Sequence, residues 1–165
     1  MHITQKSLHK KQDEILLHLG LDNFEVKESQ IHGLGLYSKK YFAKNTELGP
    51  SLIHKSVELP YIRYLGSQYD PDLKWEYSQT TATRFINHNN KPNLKIYKQE
   101  PDIGIIYAKC LIDIFPGDEL TLDYKETALI AEDFTDKNVV EYYCKILEMS
   151  LDELYSFLKL HNKAF

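Results

Sequence analysis

Cysteine is almost missing from this chain. Cys110 and Cys144 are the only two thiols in 165 residues, and no Cys-x-x-Cys pair occurs. A disulfide framework is therefore not expected, nor is a structural zinc site. Both thiols lie among apolar residues, which suits reduced, buried side chains in a cytosolic protein. The histidines (His2, His9, His18, His32, His54, His88 and His161) show no ligand-like spacing, so no bound metal is expected. Long hydrophobic runs are lacking as well. No stretch reads as a membrane span, and Met1-His2-Ile3-Thr4-Gln5-Lys6 opens no signal peptide. The expected location is the cytoplasm, or the interior of a host cell for a viral or intracellular bacterial source. Positive charge is not in excess. A net charge of −4 argues against a nucleic-acid partner and permits a basic peptide. Internal repeats and low-complexity linkers are absent too.

What is present reads as one globular domain. With 165 residues, 42% of them hydrophobic, the chain is able to bury about two thirds of its unfolded surface. Twelve tyrosines are many for this size; they serve as half-buried packing residues or wall an aromatic pocket. Ser7 to Gly20 reads as an amphipathic helix, with Leu8, Gln12, Ile15, Leu16 and Leu19 on one face. From Phe24 to Tyr124 the pattern turns strand-like. Short strands are predicted at Val26–Glu28, Gly35–Ser38, Leu48–His54, Leu94–Lys98 and Ile103–Ala108. A turn at Pro116-Gly117-Asp118 then leads into a strand over Glu119–Tyr124. Beyond Tyr124 the pattern is helical. Asp136 can cap a segment carrying Val139, Val140, Tyr143, Ile146 and Leu147 on one side, and Ser150-Leu151-Asp152-Glu153 is a capping box opening a helix through Leu160.

Three segments carry chemistry-bearing residues. Ile31-His32-Gly33-Leu34-Gly35-Leu36-Tyr37 is either a tight turn between strands or a side-chain-free surface that a ligand can approach. It is not a dinucleotide fingerprint, since no third glycine follows and no helix opens there. Arg84-Phe85-Ile86-Asn87-His88-Asn89-Asn90-Lys91-Pro92-Asn93 places an Asn-His pair directly after an apolar step, where burial without partners costs about 2–7 kcal/mol. That pair is either a turn cap with a satisfied core histidine or part of a site. Gly117-Asp118-Glu119-Leu120-Thr121-Leu122-Asp123-Tyr124 alternates and ends on a phenol, by itself an ordinary strand-end aromatic.

Taken in this order, the three resemble the SET-domain family of protein-lysine methyltransferases. Gly33-Leu34-Gly35-Leu36-Tyr37 looks like the family's first motif. Arg84-Phe85-Ile86-Asn87-His88 with Pro92-Asn93 is similar to its Arg-Phe-x-Asn-His-x-x-x-Pro-Asn signature, and the third segment to its Gly-Glu-Glu-Leu-Thr-x-Asp-Tyr signature. The short, free-standing prokaryotic or viral-type members are the nearest in character. The resemblance implies a mainly β (α+β) β-clip fold with a pseudoknot, in which the Asn-His segment threads beneath the loop carrying the Asp-Tyr motif. It implies a division into an N-terminal helical segment (1–22), a catalytic domain (24–126) and a helical C-terminal extension (127–165). It implies S-adenosylmethionine as methyl donor, S-adenosylhomocysteine as product, and a protein or peptide partner presenting a lysine. By the same resemblance Gly33, Leu34 and Gly35 hold the methionine part of the donor, and Arg84 and Phe85 line its pocket. Asn87 and His88 hold its amine and adenine, and Tyr124 stands where the lysine channel meets the sulfonium.

The chain departs from the family in two places. Ser51 falls where many members carry a channel tyrosine, which favours an alternative reading as a non-catalytic binding module that keeps the donor pocket. His54, on the same expected strand, is either an edge residue or a group near the substrate amine. The cysteine-rich zinc segment that closes the channel in many chromatin enzymes is absent. The helical tail with Phe134, Tyr142, Tyr143, Tyr155 and Phe157 is left to close it; most of these aromatics read as packing of helices that cover a sheet, and one of Phe134, Tyr142 or Tyr143 is a candidate to reach the donor. The insert holding Tyr61, Tyr64, Tyr69, Trp75 and Tyr77 corresponds to the family's variable, peptide-contacting region.

Overall fold

The computed structural model describes residues 23–54, 77–79, 83–98, 104–131 and 134–162. The expected helix over Ser7–Gly20 lies outside these residues, as do Tyr61, Tyr64, Tyr69 and Trp75.

Among the described residues, eight strands precede three helices: β1 (Phe24–Glu28), β2 (Leu34–Ser38), β3 (Glu47–His54), β4 (Tyr77–Gln79), β5 (Asn87–His88), β6 (Leu94–Lys98), β7 (Ile105–Cys110), β8 (Thr121–Leu122), α1 (Tyr124–Ala131), α2 (Lys137–Ile146) and α3 (Leu151–Leu160). They form an antiparallel β1–β2 hairpin, a four-stranded sheet in the order β4-β3-β7-β6, and a parallel pair β5–β8. This is the mixed, β-rich architecture expected.

The central sheet follows from its side chains. Leu52, Ile53, Leu94, Ile96, Ile105, Ile106, Ala108 and Cys110 are buried, and β-branched residues suit a pleated surface packed on its neighbours. Most of them join Phe24, Leu36, Ile86, Ile114, Leu120 and Leu122 in one core. β3 departs from regular pairing twice. Glu47 and Gly49 oppose the adjacent Lys109 and Ala108, and Pro50 and Leu52 oppose Tyr107 and Ile106. Leu48 and Ser51 are therefore bulged residues, each an extra residue that kinks the strand and re-aims its side chains.

β1, β2 and β3 start one or two residues earlier than expected, and two later strands differ more. The seventh strand runs on to Cys110, and Ile103 lies outside the described residues. The expected strand over Glu119–Tyr124 is only two residues long, and Tyr124 opens a helix instead. Asp123 explains this. Its Oδ1 accepts from the Lys125 N–H at 2.9 Å while its carbonyl accepts from the Thr127 N–H at 3.1 Å, the arrangement of a helix N-cap.

The C-terminal helices behave as their sequence foretells. Asp136 caps α2, and Ser150 with Glu153 forms the complete capping box of α3. Val139, Val140, Tyr143, Leu154 and Leu158 meet Phe134 and Ala128 in a second core. α1 joins the two cores: Ile130 packs against the first, Ala128 and Leu129 belong with the second.

Candidate functional site

The segment from Gly117 to Leu122 is sewn between two partners. On one side it pairs with β2: the Leu120 N–H donates to Leu36 O at 2.7 Å, and Ser38 N–H donates to Asp118 O at 2.9 Å. On the other side β8 runs parallel to β5, with Asn87 opposite Thr121 and His88 opposite Leu122. Asn93 fastens the crossing. Its Nδ2 donates to Glu119 O at 2.7 Å and its Oδ1 accepts from the Thr121 N–H at 2.8 Å. The Asn-His pair and the Thr121-Leu122 step before Asp-Tyr, 34 positions apart in sequence, are thereby brought side by side, as the expected crossing requires.

Asn87 is buried and its amide reaches across to the glycine turn. Nδ2 lies 3.1 Å from His32 O, 3.1 Å from Leu34 O and 2.8 Å from Glu119 Oε1. Three acceptors around one nitrogen define which way the amide points. Among the described residues, Oδ1 accepts no hydrogen bond, and a buried acceptor without a donor costs stability and calls for an explanation. The turn beside it is held in a left-handed conformation by Gly33, φ 50°, and a side chain added there would meet nothing within 4 Å. Gly35 is the opposite case: an added Cβ would sit 2.4 Å from Glu119 Oε1.

The His88 ring faces inward to the protein. Its Nδ1 accepts from the Tyr124 N–H at 3.1 Å and its Nε2 lies 3.2 Å from Asn90 Oδ1. With Nδ1 accepting, the hydrogen sits on Nε2 and is donated to Asn90. The ring also packs on Tyr124 at a centroid distance of 5.3 Å. The His88 ring is thus a support for Tyr124. The Tyr124 hydroxyl donates to Ile86 O at 2.8 Å.

Arg84 and Phe85 form a single 3-10 turn over Thr83–Phe85, immediately before Ile86 and packed against β2. The guanidinium lies 5.5 Å from the Phe85 ring centroid, and Phe85 rests on the first core. Thr83 Oγ1 donates to Ser51 O at 2.9 Å, so the bulge of β3 is tied to the same turn. Ser51 itself is 1% exposed.

Gly33, Leu34, Gly35, Asn87, His88 and Tyr124 are therefore gathered into one place, with Arg84 and Phe85 next to it. Two other candidates stand differently. His54 ends β3, where its ring lies 5.0 Å from Tyr77 and its N–H donates to Gly104 O. Tyr143, 4% exposed, packs on Phe134 and Tyr142 in the second core. Cys110 is buried as expected, whereas Cys144 is only half-buried.

Sequence reasoning assigned no role to Glu119. Its Oε1 accepts from Ser29 Oγ at 2.7 Å and from Asn87; its Oε2 accepts from the Tyr37 hydroxyl at 2.9 Å. Burial and this carboxylate push the Tyr37 phenol above its ordinary pKa. The available signal was the alternation itself, which sets Glu119 and Thr121 on the face opposite Leu120 and Leu122.

Comparison with known proteins adds three findings. The family model of the SET domain matches residues 5–125. No curated protein gives a match. Among solved structures, a Plasmodium falciparum protein assigned as a histone methyltransferase aligns over 62% of this chain and 92% of its own length, at 19% identity and a TM-score of 0.41.

Proposed function

This chain belongs to the SET-domain family, and from that premise we propose that it is an S-adenosylmethionine-dependent methyltransferase acting on a lysine side chain of a protein substrate. The observation that carries the reading is the Asn87 carboxamide, with its Nδ2 committed to the glycine turn and to Glu119. That leaves Oδ1 as a buried acceptor with no donor among the described residues, on a side chain bound to a turn whose Gly33 has open space around it. A buried acceptor without a donor fits the ammonium of the donor's amino-acid part, so the residues present suit the group. Asn87 Oδ1 and the backbone around Gly33, Leu34 and Gly35 would hold that part, and Arg84, Phe85 and the His88 main chain would line the remainder. When bound, the donor supplies a methyl group on a sulfonium.

The rest of the chemistry falls to the protein. A lysine amine with a pKa near 10.4 is only about one part in a thousand neutral near pH 7.4, a deficit of roughly 4 kcal/mol. A desolvated, aromatic-walled channel lowers that pKa. Tyr124 gives its hydrogen to Ile86 O, so towards an incoming amine its oxygen acts as an acceptor. Accepting an N–H turns the nitrogen lone pair in a defined direction, and alignment supplies most of the rate in such a transfer. The ring also favours a cationic methylammonium by cation–π attraction. Exclusion of water, needed to keep the amine neutral, is assigned to the C-terminal extension.

Ser51, buried and without a ring, favours a second reading: a binding module that retains the donor pocket. Incubation with labelled donor and cell extract, followed by hydrolysis, tests both. Label recovered as methyl-lysine supports the enzyme. Donor binding with no labelled protein supports the module, and no donor binding overturns both.

A further inference from the structure

Glu119 stands at the junction of three elements, and its contacts form a closed set. Its main chain bridges β2 opposite Tyr37, and its carbonyl is held by Asn93. Its carboxylate receives Ser29 and Tyr37 from the β1–β2 hairpin and Asn87 from β5. Nδ2 of Asn87 has two hydrogens to share among His32 O, Leu34 O and Glu119. The ionised carboxylate is the strongest acceptor of the three. Removing it would leave Asn87 bound to the turn alone, without its shortest contact. The carboxylate thus holds Nδ2 at its shortest contact and, through it, the direction of Oδ1. Gly35 belongs to the same device, because only a residue without Cβ leaves the carboxylate this close to β2.

Resting on the donor-site reading above, we propose that Glu119 is a positioning residue: it orients the Asn87 carboxamide and locks the glycine turn so that the donor's amino-acid end meets a preformed acceptor. The carboxylate acts through Asn87, and the chemistry of transfer does not involve it.

The test is calorimetric titration with S-adenosylmethionine, followed by steady-state kinetics. Glu119→Ala should bind the donor at least about tenfold more weakly, the scale of one lost buried hydrogen-bond partner. Donor KM should rise with it while kcat at saturating donor stays within about threefold. Glu119→Gln keeps an acceptor for Ser29 and Asn87, and the Tyr37 hydroxyl, already 3.2 Å from Glu28 O, can turn its hydrogen there; it should restore affinity to within about threefold. Should Glu119→Ala fail to fold, the double variant Ser29→Ala/Tyr37→Phe decides. It removes two of the three donors to the carboxylate and leaves Asn87 in place, while taking from the turn the Ser29 Oγ that accepts from the Ile31 and His32 N–H groups; it should weaken binding by about tenfold. Unchanged affinity in a folded Glu119→Ala, or in the double variant, overturns the proposal, as does a fall in kcat with donor KM unmoved. A wild-type protein that binds no donor overturns the donor-site reading itself, a different result from variants that bind as well as wild type.

Discussion

The hydroxyl of Tyr124 donates to the main-chain carbonyl of Ile86 at 2.8 Å, and the residue after Ile86 is Asn87. One hydrogen bond therefore fixes the phenol relative to the candidate donor contact, although the two lie in separate motifs. His88 adds a second restraint by accepting from the Tyr124 N–H.

Tyr124→Phe keeps the ring and removes only the oxygen. On the proposed function, turnover should fall about ten- to a thousandfold, a barrier change of roughly 1.4–4 kcal/mol. Donor affinity should change much less. The lost bond to Ile86 O also costs about 1 kcal/mol of stability, so the melting temperature serves as an internal control. A variant that loses stability and keeps its turnover marks Tyr124 as a packing residue.

Asn87→Ala should weaken S-adenosylmethionine binding at least about tenfold, from the loss of one buried partner. Unlike Glu119→Gln it has no conservative route back, because both ends of the amide are used. Unchanged affinity in the folded variant, read by calorimetry, contradicts the donor assignment.

Cys110 is 0% exposed and burial pushes its thiol up to about 11, from 9.0. The unfolded chain therefore gives up this proton first. Between about pH 9 and pH 11 the unfolded state binds fewer protons than the folded one, and stability falls as pH rises through that window. Cys110→Ala lacks this contribution, so its melting curve should converge on that of the wild type as pH climbs from 9 to 11. Curves that stay parallel refute the shift. At pH 8, a thiol reagent should label the half-buried Cys144 before Cys110.

Ser150→Ala removes one half of the α3 capping box and should cost about 1 kcal/mol, visible as a lower melting temperature. Deleting the chain from Ser150 onward is a larger change. Leu154 and Leu158, both fully buried, leave the second core and expose Phe134, Val139, Val140 and Tyr143. Binding of a hydrophobic dye should rise sharply. A truncated protein that melts like the wild type would show that α3 is dispensable to that core.

Much of this was legible from spacing alone. Strand patterns located β1, β2, β3 and β6 to within a residue or two, and the caps at Asp136 and Ser150 announced α2 and α3. The three motifs named Gly33, Asn87, His88 and Tyr124, which the fold does bring together. The misses have particular causes. Alternation through Leu120 and Leu122 suggested a strand as far as Tyr124, but Asp123 followed by Glu126 is itself a helix-start pattern, and capping overrode the period of two. Counting along β3 hid the bulge at Ser51, because a bulge is a relation to the partner strand and leaves no mark in one strand's residues. Phe134 and Tyr143 fill a core that only the paired helices define, which agrees with packing as the commoner reading of the tail's aromatics. Glu119 was hidden for the same kind of reason, since Ser29 lies 90 residues from it.

That separation bears on how the protein is made. A chain emerging from the ribosome presents the β1–β2 hairpin early, yet Ser29, Tyr37 and Asn87 have no carboxylate to meet until residue 119 has been synthesised. Long-range closure of this kind is slow and comes after local structure. On the proposed function, donor capture is therefore expected to follow completion of the β5–β8 crossing, and in refolding experiments the rate at which binding returns would time that last topological step.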